Sequence, residues 1–198
     1  MFALVESGSI TKTLSGNRGI TIGDVQYPQN IFTLWSAAER EAIGIYEVVW
    51  DNTNKKDEAY YTNTNQSFAF AGGAVTASYG SATAKSLTDT LFTAQDEIDG
   101  KGTEGEVAAE GLKTKLIRDI KKEAANILAE TDWYILRKAD AGTAVPSAIT
   151  THRAAVTTKC AEMETAITNA ADTPALGTLY TRNNSGVRPL GDLPTLDN

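Results

Sequence analysis

His152 and Cys160 are the only histidine and the only cysteine of the chain, so Ser-His-Asp or Cys-His catalysis would have to use them. Both fall in one predicted helix. Their spacing places the two side chains about 80° apart around that helix and about 12 Å apart along it, too far for a hydrogen-bonded nucleophile and base. We therefore predict no catalytic site, and expect a surface or half-buried structural His152 and a Cys160 that packs in the core as a small hydrophobe.

A second candidate for chemistry is the acidic stretch 95–106, QDEIDGKGTEGE. It partly matches a 12-residue calcium loop, with the matching residues at positions 3, 5, 6 and 12 being Glu97, Asp99, Gly100 and Glu106. Position 1 is Gln95 instead of Asp, and no convincing helix is predicted before it. We expect a solvated loop and no metal or cofactor, with calcium binding as the open alternative.

Composition limits the possible partners. The chain has 198 residues and carries 25 acidic against 18 basic residues, a formal charge of −7, which repels nucleic-acid phosphates and anionic lipid. No window approaches the roughly 20 apolar residues of a membrane span, and the N-terminus does not have the pattern of a signal peptide. We expect a protein made in the cytoplasm, with no nucleic-acid partner and no membrane insertion.

The sequence patterns of the two halves predict an α+β fold, whose elements would position any site. Residues 1–80 predict an N-terminal antiparallel β-sheet with one short helix. Runs 2–5 and 10–14, separated by Ser7-Gly8-Ser9, predict a first hairpin. The pair Ser36 and Glu39 predicts a capping box that starts a helix over 37–43, ended by Gly44.

Two further hairpins are predicted in the same half. Residues 45–50 are β-branched and aromatic, and the polar segment 52–57 separates them from a second strand over 59–62. Phe68 and Phe70 alternate with alanines, and the turn Gly72-Gly73 leads to a second alternating run over 75–79.

The second half predicts a C-terminal antiparallel helical hairpin over 106–180, after an acidic, glycine-containing linker over 81–105. The first helix spans about 106–129. The second begins near Pro146, and its apolar stripe consists of Ile149, Val156, Cys160, Met163 and Ile167. The connector contains Gly142 and predicts no structure of its own, whereas residues 181–198 predict an irregular tail.

Aromatic residues of the first half are candidates for an interaction surface, because their rings combine a large contact area with a polar group. They include Trp35, Trp50, Tyr60 and Tyr61. Strand alternation favours core packing for most of them over a binding face.

Two motifs in the helical half carry a family resemblance. Leu128-Ala-Glu-Thr-Asp-Trp133, followed after a connector by Thr151-His-Arg-Ala-Ala-Val156, resembles the C-terminal part of tailed-phage tail-fibre assembly and tail-fibre-associated proteins. Phe2-Ala-Leu-Val-Glu-Ser-Gly8 resembles the first strand and turn of that group, and Ile45–Asn52 and Asp57–Tyr61 resemble small tail modules of marine phages. The aromatic residue usual before the motif arginine is replaced here by His152.

This resemblance implies a non-enzymatic structural or adaptor component of a phage tail, fibre- or baseplate-associated, whose partners are other tail proteins. The alternative is an assembly chaperone that is absent from the finished virion. Tail parts repeat around an axis, and apolar helix stripes can pair between chains, so a homo-oligomer is also expected.

Asp132 and Trp133 are the sharpest point of the resemblance, and both are expected to stabilise the fold. We expect Trp133 to cover the contact between the two helices, and Asp132 or Thr131 to hydrogen-bond the turned backbone. On this interpretation Trp133→Ala would cost on the order of 3 kcal/mol or more.

Overall fold

A computed structural model describes residues 1–196 and shows the predicted α+β fold. The chain divides into two compact units, Met1–Thr83 and a second that begins at Ala84. The first is built from short strands and the second mainly from helices.

The first unit contains ten elements before the boundary. They are β1 (Phe2–Glu6), β2 (Ser9–Leu14), β3 (Ile20–Ile22), β4 (Val25–Tyr27), α1 (Ile31–Leu34), α2 (Ala37–Glu41), β5 (Ile45–Asp51), β6 (Tyr61–Thr62), β7 (Ser67–Ala71) and β8 (Ala74–Ser78), and β9 (Thr83–Ala84) lies at the boundary itself. Five strands form the main sheet in the order β2-β1-β5-β8-β7, and β3 and β4 form a separate two-stranded sheet.

Two of the three predicted hairpins are confirmed. β1 pairs with β2 across Ser7 and Gly8, both of which have positive φ angles, 51° and 78°. β7 pairs with β8 across Gly72 and Gly73, whose φ angles of 58° and 79° are those that a two-residue hairpin turn requires.

The predicted hairpin between 45–50 and 59–62 is wrong, and so is the expectation of a purely antiparallel sheet. β5 is the central strand, antiparallel to β1 and parallel to β8, so the sheet is mixed. Strand propensity at 45–50 indicated the element but not its partner. The long segment 52–73 permits the crossover that a parallel pair needs.

Two short helices occupy this unit where one was predicted. The capping box is confirmed, since the Glu39 amide donates to Ser36 Oγ and the Ser36 amide donates to the Glu39 carboxylate at 2.8 Å. Gly44 ends this segment with φ +83°, and a Cβ atom there would lie 2.6 Å from the Val5 carbonyl oxygen. The additional helix, α1, buries Ile31 and Phe32.

Both faces of the main sheet are apolar. On one face, Ile31 and Phe32 of α1 form a buried cluster with Leu4, Ile20 and Ile45. The opposite face buries a second cluster made of Ala3, Val48, Val75 and Ala77. Alternation along β1 and β5 therefore sends successive side chains to two separate cores.

The second unit contains β10 (Thr90–Leu91), α3 (Ala94–Ile98), β11 (Val107–Ala109), α4 (Leu112–Ala129), α5 (Asp132–Ala141), α6 (Ser147–Asn169) and α7 (Thr173–Tyr180). Strands β10 and β11 pair with each other. The acidic, glycine-containing segment 81–105 contains β10 and α3. The first long helix begins at Leu112 and not near 106, because the preceding residues form β11.

The antiparallel pairing of the two long helices is confirmed. Lys113 Nζ near the start of α4 donates to the Thr168 carbonyl near the end of α6 at 2.7 Å, and the Leu128 carbonyl near the end of α4 accepts from Arg153 near the start of α6. The expected stripe on α6 is buried at all five positions. The connector, however, contains a ten-residue helix, α5, and a further helix, α7, follows α6.

The tail after α7 has no helix or strand over residues 181–196, as predicted, but it packs against the fold. Leu190 is 2% exposed and Leu193 is 7% exposed. The Leu190 amide donates to the Leu179 carbonyl at 3.0 Å. Residues 197–198 of the predicted tail lie outside the described residues.

Within residues 1–196, no helix is long and apolar enough to cross a membrane.

Candidate functional site

The two motifs of the helical half meet at Arg153. Its Nη1 atom donates to the Leu128 carbonyl at 2.7 Å, to Thr131 Oγ1 at 2.7 Å and to Asp132 Oδ1 at 2.8 Å. Arg153 thereby contacts the end of α4, Thr131 in the link between α4 and α5, and the first residue of α5. A charged donor with several acceptors is a strong hydrogen-bonding arrangement. Arg153 therefore fixes the point where α5 leaves α4.

Thr131 is the buried residue of this junction. It is 2% exposed, and its hydroxyl donates to the Leu128 carbonyl at 3.0 Å, which also accepts from the Thr131 amide at 3.1 Å. The expected hydrogen bond from Thr131 to the turned backbone is confirmed. Asp132 instead pairs with Arg153 and lies in the first turn of α5, where a carboxylate is favourable to the helix dipole.

The expectation that Trp133 covers the contact between the long helices is wrong. Trp133 is 50% exposed. The chain does not turn back after Ala129 but continues into α5, which directs the indole away from the core. The ring stacks instead on its neighbour Tyr134, with centroids 3.9 Å apart.

Arg137 joins this pair of rings from the next turn of α5. Its Cζ lies 4.6 Å from the Trp133 centroid and 5.5 Å from the Tyr134 centroid, within the range of cation–π attraction. Its Nε is buried and has no hydrogen-bond partner among the described residues. The guanidinium is therefore held by the rings.

No residue of α5 is buried. Leu136 is 69% exposed and Ile135 is 42% exposed, in addition to Trp133. Trp133, Leu136 and Arg137 are three and four positions apart and therefore lie on one side of the helix; we call these three residues the α5 face. It is an apolar and cationic surface on a helix that is anchored at its first residue.

Of the seven tyrosines and tryptophans of the first unit, Tyr27, Trp35 and Tyr46 pack against its two cores, so core packing is confirmed for these three but not for most of the seven. Trp35 packs against the α1 cluster and meets Tyr27 edge to face, with centroids 5.9 Å apart, and its carbonyl accepts a hydrogen bond from Arg40. Tyr46 packs against the core on the opposite face. Its ring centroid lies 4.8 Å from that of Phe70.

Trp50, Tyr60 and Tyr61 are less buried. Trp50 is 47% exposed, in the part of β5 that pairs with β8 opposite Ala77. Tyr60 is half-buried, and half-buried Tyr61 begins β6. Of these three residues, Trp50 is the most exposed candidate for an interaction.

His152 and Cys160 are both part of the α6 core. Each is 8% exposed, so the expected surface or half-buried position of His152 is wrong, whereas core packing of Cys160 is confirmed. Burial, together with the hydrogen bond from Sγ to Glu164 Oε1 at 3.5 Å, raises the pKa of the Cys160 thiol. The reactive thiolate form is therefore disfavoured.

A lysine lies among the carboxylates of the acidic stretch. Lys101 Nζ is 2.9 Å from Asp96 Oδ1 and 3.0 Å from Asp99 Oδ2. The amide and hydroxyl of Thr93, with Lys101, lower the pKa of Asp96 to about 2. Among residues 1–196, no group of three potential metal-ligating side chains comes together, and a short helix, α3, occupies the first half of the stretch.

Arg153 belongs to the sequence motif, but its contacts with the end of α4 and the start of α5 were not predicted. The signal was present, since an acid at 132 and a base at 153 flank a connector between helices that were expected to be antiparallel. The exposed position of the α5 face was missed because the connector was expected to have no structure.

Comparison with known proteins identifies no relative: no protein family, no curated protein and no solved structure matches the chain.

Proposed function

We propose that this protein is a non-enzymatic structural or adaptor component of a phage tail, fibre- or baseplate-associated, acting through protein–protein contacts. The observation that carries the proposal is the α5 face, which exposes Trp133 and Leu136 on a helix anchored by Arg153. The sequence resemblance of the same segment to tail-fibre assembly and tail-fibre-associated proteins supplies the tail context.

The composition of the α5 face favours a protein partner. Tryptophan, tyrosine and arginine are enriched in binding hot spots, and Trp133, Tyr134 and Arg137 already form a stacked group. Preordering of large side chains reduces the entropy that binding would otherwise cost. An apolar partner surface would remove Leu136 from water, and this burial would further stabilise the complex.

An assembly chaperone is the second candidate. Each unit buries core residues of its own, which is compatible with a protein that folds before it meets its partner. A chaperone would use the α5 face transiently, whereas a tail component would keep it covered in the particle.

A homo-oligomer, which we also propose, would have to pair through a surface other than the α6 stripe. The apolar α6 stripe suggested pairing between chains, yet that stripe is buried inside this chain. Light scattering coupled to size-exclusion chromatography measures the oligomeric state, and a monomeric mass at working concentration would contradict the homo-oligomer.

A mass-spectrometric inventory of purified virions tests the function. A tail component is expected in stoichiometric copies, and a chaperone is expected in infected cells but not in particles. Leu136→Asp is expected to abolish incorporation without unfolding the chain, whereas the matched control Lys122→Asp, at an exposed position of α4, is expected to retain it. Absence of the protein both from particles and from complexes with tail proteins would contradict both candidates.

A further inference from the structure

A polar cavity of about 830 Å³ opens beside the α1-covered face of the first unit. β2, the loop after it and the start of β3 form its walls, and Phe32 of α1 contributes a buried ring. Its polar and charged lining comprises Lys12, Thr13, Ser15, Arg18 and Thr21. A volume of this size lies within the range of small-molecule sites.

The loop that forms one wall is fixed by close packing. Gly16 has φ +76°, and a Cβ atom there would lie 3.0 Å from Cε2 of Phe2. A Cβ atom on Gly19 would lie 2.6 Å from the Tyr27 carbonyl oxygen. Side chains larger than hydrogen are therefore disfavoured at both positions, and the loop packs closely against Phe2 and Tyr27.

Arg18 differs from every other arginine of the chain. Arg40, Arg118, Arg153, Arg182 and Arg188 pair with carboxylates, and Arg137 stacks on rings. Among residues 1–196, Arg18 has neither an acidic nor an aromatic partner, although the chain carries a net charge of −7.

Lys12 adds a second cation to the same cavity. It too has no carboxylate partner within the described chain, and it is opposite Leu4 in the strand register. Two exposed cations without a carboxylate partner among the described residues therefore line one concavity, which offers donors but no countercharge.

We propose that this cavity binds a small organic anion that carries carboxylate or phosphate groups. The guanidinium of Arg18 would hold one anionic group through two parallel hydrogen bonds, and the Lys12 ammonium would bind a second group as a point charge. The site lies in the first unit and is independent of the proposed tail function and of the α5 face.

Titration of the full chain, followed by amide NMR at constant ionic strength, tests the proposal with citrate and inorganic phosphate as separate probes. Saturable shifts are expected in residues 12–21. Arg18→Ala is expected to weaken binding of the tighter probe about tenfold, by loss of a charge-assisted pair. The control Lys56→Ala removes an exposed positive charge of the same unit that does not line the cavity, and it should leave the affinity unchanged.

Two results would overturn the proposal. One is the absence of saturable binding for both probes. The other is an equal loss of affinity in Arg18→Ala and Lys56→Ala, which would show that the anions respond to general surface charge. A greater affinity for citrate would identify carboxylates as the preferred groups, and a greater affinity for phosphate would identify phosphate esters.

Discussion

Helices α5 and α6 follow each other in the chain, yet they differ in the burial of their apolar residues. α6 buries six side chains, namely Ile149, His152, Val156, Cys160, Met163 and Ile167. α5 buries none and leaves Trp133, Ile135 and Leu136 at least 42% exposed. The difference shows that the arrangement of apolar residues, more than their number, decides which helix joins the core.

The spacing explains the contrast. In α6 the apolar residues recur at steps of three, four and seven, which places them on one stripe that α4 covers. In α5 four consecutive residues, 133–136, are apolar or aromatic. Successive helical residues are about 100° apart, so no single contact could bury all four. Some of them must remain exposed unless another protein covers them.

The largest expected effect tests the α6 side of this comparison. Met163→Ala removes a side chain that is 0% exposed and should lower the free energy of unfolding by about 3 kcal/mol, through lost burial and the cavity left behind. Denaturant unfolding followed by circular dichroism measures it. A loss below about 1 kcal/mol would mean that the stripe is not a packed core.

Arg153→Ala should have the next largest effect, because it removes three hydrogen bonds at the junction that anchors α5. We expect a loss of about 2 kcal/mol in unfolding free energy, since buried Thr131 and the Leu128 carbonyl lose a charged donor. Arg153→Lys is the matched control and should retain part of the stability. If Arg153→Ala were as stable as the parent, the junction would not depend on this side chain.

Trp133→Ala should cost less than either core change, below about 1 kcal/mol, because the half-exposed ring loses mainly its stacking with Arg137 and Tyr134. This expectation reverses the loss of about 3 kcal/mol that the sequence suggested. Thermal unfolding of Trp133→Ala beside Met163→Ala compares the two helices directly. Equal losses would place Trp133 in the core and refute the contrast.

The smallest effect concerns the ion pair between the helices. Asp132 is 54% exposed and Arg153 is 23% exposed, with 2.8 Å between Oδ1 and Nη1. A double-mutant cycle of Asp132→Ala and Arg153→Ala should give a coupling energy of about 0.5 kcal/mol, which falls as salt is added. A coupling above about 2 kcal/mol would indicate that Asp132, and not Thr131, is the main partner of the arginine.

Local signals predicted much of the fold. The capping box at Ser36, the turns at Ser7-Gly8 and Gly72-Gly73, and the seven-residue repeat on α6 each depend on residues close in sequence. The parallel pairing of β5 with β8 depends on distant residues that compete for the same strand edges, and no local pattern encodes that choice.

The candidate site was predicted only in part. The motif identified Asp132 and Trp133, but their roles depended on whether the connector folds. A turn would have placed Trp133 over the helix contact, whereas α5 directs it outward and leaves Arg153 and Thr131 to hold the junction. The cavity beside Lys12 and Arg18 depends on how β2, β3 and α1 meet, which strand and helix propensities do not reveal.

Site-specific photo-crosslinking in infected cells tests most directly whether the α5 face is a contact surface. A photoreactive amino acid at Leu136, with Lys122 on α4 as the control position, would report which proteins touch each site. We predict that Leu136 crosslinks to another tail protein and that Lys122 does not. Equal crosslinking at both positions, or none at Leu136 although the protein enters particles, would contradict the role assigned to α5.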